Sequence, residues 1–228
     1  MNEHDDPNSF ATLIHTSAQM AFRRAYKQVR VNPDRYLQQA RRRYALPIQK
    51  WSDVHYLNES LIVGASHHIV ASSARAAALE GIGLGFSGIV GTLPDLGILA
   101  TITIRMLQKL SLVHGFEFST NEEIAGLLLA AASAAGLDFG REFLEKQAVE
   151  NLVPRIVDQI ALRAGTEFAE KWVGRLVPIV SAGVAGTLNY YFVRAWGRRA
   201  QRHFLERHRG AQPSSLVEGR LLDSAAPA

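Results

Sequence analysis

Cysteine is absent from these 228 residues, which excludes disulfides, thiolate nucleophiles and cysteine-held metals. Strand signals are absent too, since no stretch alternates apolar and polar residues with period two. The opening MNEHDDPNSF is acidic and carries neither a basic start nor an apolar run, so no secretory signal is expected. Lysine is scarce, and the 25 basic residues are mostly arginine. Serine nucleophile elbows, phosphate loops and dinucleotide fingerprints are missing: GIGLGF has the glycines, but a helical pattern precedes it where a strand is required. The histidines give no metal spacing, because His67 and His68 are adjacent and His203 and His208 are five apart, which splits each pair across helix faces. No cofactor and no metal are expected.

What is present is helical period almost throughout. Phe10, Leu13, Ile14, Ala18, Phe22, Ala25 and Val29 mark an amphipathic helix over 9–30. Pro33 starts a second helix, which Pro47 ends. A third runs from about Asp53 into ASSARAAALE. Thr92 and Asp95 have capping-box spacing, which predicts a helix from Leu93 to about His114, closed by Gly115. Thr120 with Glu123 predicts the start of the next, IAGLLLAAASAA, which Gly136 ends. Asp138 is a candidate N-cap, a helix over 152–173 follows Asn151, and a last one runs from about Pro178 to Arg207. The fold class is all-α: a single multi-helix bundle over 9–208 around a Gly-rich apolar helical hairpin, with residues 1–8 and 209–228 disordered.

The stretch Gly81 to Ile104 holds six glycines and a single charge, Asp95. It is either a buried spine or a hairpin that dips into a membrane. A helical span needs about 20 apolar residues. Here 81–93 gives 13 and 96–104 gives nine, 124–137 has fourteen and 176–193 eighteen, at a mean hydropathy of −0.01 for the chain. Gly81, Gly85 and Gly88, with Thr92, share a helix face, and Ala182 and Gly186 repeat the theme. Such faces permit close helix crossing within the chain or a homo-oligomer between chains.

Charge is unevenly placed. Residues 20–46 carry eight basic side chains against Asp34, among them Arg23, Arg24, Arg41, Arg42 and Arg43; residues 194–209 carry six, among them Arg198, Arg199 and Arg202, against Glu206. Between them, 47–193 has ten basic and fourteen acidic residues. Two basic ends around an apolar middle suit an anionic membrane surface or a membrane-protein partner. The basic runs lack a helix-turn-helix pattern or aromatic interleaving, which argues against nucleic acid.

The segment LPDLGILATITIRMLQKLSLVHGFEF at 93–118 resembles the signature of the EcsC family of bacterial helical proteins. A Pro-Asp pair opens an apolar helix, an arginine follows, and a glycine turn closes it: Pro94, Asp95, Arg105, Gly115. The later run VPIVSAGVAGTLNYYFVRAWGRRAQRHFLER, with Asn189, is similar as well, and the likeness covers 50–207, leaving 9–49 outside. The resemblance implies an α-helical protein of the cytoplasm, peripheral on the inner membrane and accessory to transport or secretion. Two other readings stand beside it: an enzyme with a buried carboxylate site at Asp95, Asp138 and Glu142 acting on an apolar substrate, and a soluble protein-interaction module. Asp95 is expected to cap its helix, and Arg105 either to form a buried ion pair with Glu80, Glu117 or Glu142 or to sit at a membrane interface.

Overall fold

A computed structural model describes residues 7–85, 88–137, 155–164, 166–167 and 182–212. Every element among them is helical, and the fold is all-α. The helices are α1 (Pro7–Gln28), α2 (Pro33–Tyr44), a short 3₁₀ helix (Trp51–Tyr56), α3 (Glu59–Gly85), α4 (Gly88–Val113), α5 (Asn121–Ala134), α6 (155–164) and α7 (Ala182–Ala211).

Local chemistry sets most boundaries. The Asn32 side chain accepts from the Arg35 amide at 2.9 Å and Pro33 takes the first turn, so α2 starts there; it ends on Ala45 at φ 52. Asp53 does not open α3 as the sequence pattern predicts. Its carboxylate instead accepts the Gln49 and Lys50 amides at 2.8 and 3.0 Å, and backbone bonds to its charged form hold its pKa low. Asn58, which accepts from the Ser60 amide at 2.9 Å, precedes α3. The Thr120–Glu123 capping box forms as read: Glu123 accepts from the Thr120 and Ser119 amides while Thr120 accepts from Glu123. Gly115 and Gly136, at φ 87 and 74, close α4 and α5.

Three expectations are corrected. Helix α4 begins at Gly88, so Thr92 and Asp95 lie inside it and do not open it; Pro94 is accommodated within the helix at the cost of one backbone hydrogen bond. Helix α3 ends at Gly85 and α4 begins at Gly88, so no helix boundary falls at Thr92–Asp95. Helix α1 starts at Pro7, where proline costs no hydrogen bond, and α7 runs on to Ala211. The end of α7 persists because His208 is fully buried and Arg209 pairs with Glu59 at the start of α3 (Nη2–Oε1 2.5 Å). The capping role expected of Asp138 and the Asn151 helix start lie outside the described residues, as do 1–6 and 213–228.

Helices α3 and α7 run antiparallel along their whole lengths, and α4 packs against both. At the crossing, a Cβ on Gly81 would fall 2.9 Å from the Gly186 Cα and 2.6 Å from the Asn189 side chain. Only glycine admits the neighbouring helix this closely, so at Gly81 the small-residue face is occupied within the chain. Helix α1 lies on α4 and sends Phe22 against Phe192 and Trp196 of α7, at ring distances of 6.4 and 5.5 Å. Leu96–Val113 of α4 is long and apolar enough to cross a membrane, yet 67% of it is buried inside the protein. This half of the apolar hairpin is core. No other described helix reaches that length and hydropathy.

Buried polar groups bind elements together. Gln108, 1% exposed, accepts from the Val31 amide at 2.8 Å and donates to the Val29 carbonyl at 2.9 Å. One side chain of α4 thus satisfies a donor and an acceptor of the α1–α2 connection.

Candidate functional site

The N-terminal basic run folds into two different environments. Arg23 is spent on an ion pair with Asp158 of α6 at 2.7 Å. Arg41, Arg42 and Arg43, in the last turn of α2, are exposed. Arg41 reaches only the neutral Gln49, at 3.4 Å. With Gln38, Ala45 and Leu46, Arg41 and Arg42 line an open groove of about 700 Å³. Positive charge in the last turn complements the helix dipole, but that effect does not reach beyond the turn. It does not explain why α4 adds more cations beside it.

Those cations are Arg105 and Lys109, one turn apart on α4. Arg105 is exposed and forms no ion pair with any described carboxylate, contrary to the buried pair expected of it. Glu142 lies outside the described residues. Lys109 is half-buried, with its ammonium 5.5 Å from the centre of the Tyr36 ring. Burial lowers its pKa, and the positive charges of Arg105 and Arg43 lower it further. Tyr36 stacks on Trp51 at 5.7 Å, and Trp51 donates to the Pro33 carbonyl at 3.2 Å, so the floor beneath Lys109 is fixed from below. Burial pushes the Tyr36 hydroxyl far above its ordinary pKa, the adjacent Tyr44 adds to this, and Arg43 opposes it. Tyr44 in turn packs on His68 at 5.5 Å.

The C-terminal basic run is used differently. Arg199 bonds Glu167 at 3.2 Å, and Glu167 also accepts from the Trp196 indole at 3.0 Å. Arg194 donates to the Tyr190 hydroxyl at 2.6 Å. Arg207 lies 4.1 Å over the Phe116 ring, and Arg209 pairs with Glu59. Arg198 and Arg202 remain exposed.

Sequence spacing did not reveal a histidine cluster beneath Arg207. His55 stacks on His208 at 5.2 Å and His114 stands 6.3 Å from His208. His114 and His208 each point Nδ1 at a backbone carbonyl, of Leu110 at 2.7 Å and of His114 at 3.0 Å, so both rings donate from Nδ1. Burial depresses His114 to about 4, the Leu110 carbonyl works against this, and His208 adds to it. The cluster is core packing, and among the described residues no group of His, Asp and Glu is arranged to hold a metal ion. The carboxylate constellation cannot be assembled from the described parts: Asp95 lies on the backbone of α4 with its side chain outside the description, and Asp138 and Glu142 lie wholly outside the described residues. The remaining motif residues do have places. Gly115 closes α4 against the His55 ring, and Asn189 is buried at the Gly81 crossing.

Fold and surface together define a class: an all-α protein whose α2 and α4 carry basic side chains that pair with no described carboxylate. Residues 8–208 match the model of the EcsC protein family, and the chain belongs to that family. The match takes in the first two helices, which the 50–207 likeness left out. The chain is also similar to Protein EcsC of Bacillus subtilis (strain 168), 29% identical over 144 residues, which cover 59% of this chain and 58% of that protein. The chain thus spans somewhat over half the length of this relative. No solved structure matches it.

Proposed function

We propose that the protein is a non-enzymatic, membrane-proximal helical module that docks on an anionic surface at the cytoplasmic face of the inner membrane. One observation carries this reading: Arg41, Arg42 and Arg43 are exposed beside Arg105 and Lys109, and no described carboxylate pairs with any of them. Near an anionic leaflet each such side chain contributes about 1 kcal/mol. The exposed Arg24, Arg198 and Arg202 add to the attraction from other faces. The lipid-facing part of the reading rests on α2 and not on Leu96–Val113, which the core consumes. A membrane protein with an acidic cytoplasmic surface satisfies the same chemistry.

Flotation with vesicles tests it. The protein is expected to float with vesicles containing anionic lipid at low salt, and to be released as ionic strength rises and the Debye length shrinks. Equal recovery on neutral and anionic vesicles at low salt sinks the lipid form of the proposal. A membrane-protein partner would then have to be sought by crosslinking in intact cells.

A further inference from the structure

Like charges held together cost the folded chain free energy unless something negative joins them. Lys109 and Arg105 lie four residues apart on one side of α4, Lys109 sits over Tyr36 of α2, and Arg43 follows Tyr36 by seven residues, two turns along the same side of α2. Both guanidiniums disfavour the Lys109 ammonium. The ammonium's nearest described partner is the face of Tyr36, at 5.5 Å. The Tyr36 ring forms the floor beneath it, and Nδ1 of His68, which packs on Tyr44, is buried with no hydrogen-bond partner among the described residues. Acidic residues gather elsewhere: at the opposite end of α2 burial raises the Glu117 pKa, and the negative charges of Glu123 and Asp34 add to it.

We propose that Arg43, Arg105 and Lys109 form a binding site for a phosphate-type oxyanion, carried by a lipid headgroup or by a free phosphate ester. Two guanidiniums offer paired N–H donors matched to phosphate oxygens, and the ammonium adds a compact point charge. A phosphate monoester carries close to two negative charges at neutral pH, which a lone carboxylate cannot match. Because Lys109 is partly withdrawn from water, its attraction to an anion is screened less than that of the fully exposed arginines. The site is a small-ion site and does not require that the chain meet a membrane.

Thermal unfolding of the full chain in inorganic phosphate, against sodium chloride at matched ionic strength, is the first arm. The wild type is expected to gain melting temperature in phosphate, saturably, as a ligand that binds only the folded state requires. Arg105→Gln and Lys109→Gln are each expected to weaken phosphate binding at least about tenfold. In chloride both variants are expected to melt no lower than the wild type, because each removes a repelling charge, and this separates lost binding from lost folding. Vesicles of phosphatidic acid against phosphatidylserine, at equal surface charge, form the second arm. Preference for phosphatidic acid that Lys109→Gln abolishes assigns the anion to a headgroup; a phosphate shift without that preference assigns it to a free ester. A phosphate shift in a chain that floats with no vesicle keeps the site and removes the membrane reading. Equal melting in phosphate and chloride, or a phosphate shift that survives in both variants, overturns the site.

Discussion

The two basic ends look alike as charge and differ in what they are attached to. On α7, Arg194, Arg199, Arg207 and Arg209 are committed to Tyr190, Glu167, Phe116 and Glu59, and only Arg198 and Arg202 of the run are exposed without such a partner among the described residues. On α2, Arg41, Arg42 and Arg43 make no ion pair with a described carboxylate, and α4 adds Arg105 and Lys109. Charge on α7 therefore helps hold the bundle, while charge at the end of α2 makes no such contact among the described residues. A count of arginines cannot tell these cases apart; the partners can.

The contrast can be broken in four ways, taken from the largest expected effect down. Glu167→Ala leaves Trp196 and Arg199 without their acceptor, and is expected to cost about 4 kcal/mol in chemical denaturation. A loss below about 1 kcal/mol would show that α7 does not depend on its charges. Changing Arg41, Arg42 and Arg43 together to Gln is expected to lower partitioning onto anionic vesicles by about 3 kcal/mol, roughly a hundredfold, with stability almost unchanged. The same change at Arg198 and Arg202 is expected to do less, and equal effects would erase the distinction between the ends.

Acid tests the histidines under α7. His114 titrates at about 4 in the folded chain against an ordinary 6.5, so below 6.5 the unfolded chain takes up a proton that the folded one refuses. Stability is expected to be full above pH 6.5, to fall as the pH drops towards 4, and to have lost about 3 kcal/mol by then. Denaturant midpoints across that range, for the wild type and His114→Gln, measure it; a wild-type slope no steeper than the variant's counts against the buried neutral ring. Last, Arg209→Gln breaks a largely exposed pair and is expected to cost at most about 1 kcal/mol, read as a small drop in melting temperature that vanishes at high salt.

Local signals were legible because their chemistry is local. The Thr120–Glu123 box, Pro33 at the head of α2 and the glycine ends at Gly115 and Gly136 each join residues a few positions apart. Thr92 and Asp95 show the limit of that logic. Their spacing matches a cap, but glycines upstream adopt helix once α3 and α7 pack around them, and tertiary contact overrides the local preference. The small face at Gly81 was legible as a close crossing, although the sequence did not say that Gly186 and Asn189 would fill it. The meeting of His55, His114 and His208, and of Glu167 with Trp196, joins residues far apart in the chain, and no periodicity carries that information. Arg105 was misjudged for the same reason: a charge in an apolar stretch reads as buried until the outward side of its helix is known. The cluster with Arg43 and Lys109 follows only from the placement of α2 over α4.

The Gln108 clamp has one more consequence. It fastens the segment that leads into α2 with two hydrogen bonds from an uncharged side chain, to Val31 and Val29. Salt does not screen such bonds as it does ion pairs, and protons do not titrate them between acid and neutral conditions. The anchorage of α2 is therefore indifferent to ionic strength and pH, while the pull on its arginines is not. The exposed arginines at the end of α2 are thus held on a segment whose fastening to α4 responds little to the medium, while their own electrostatic attraction to any anion is screened by salt.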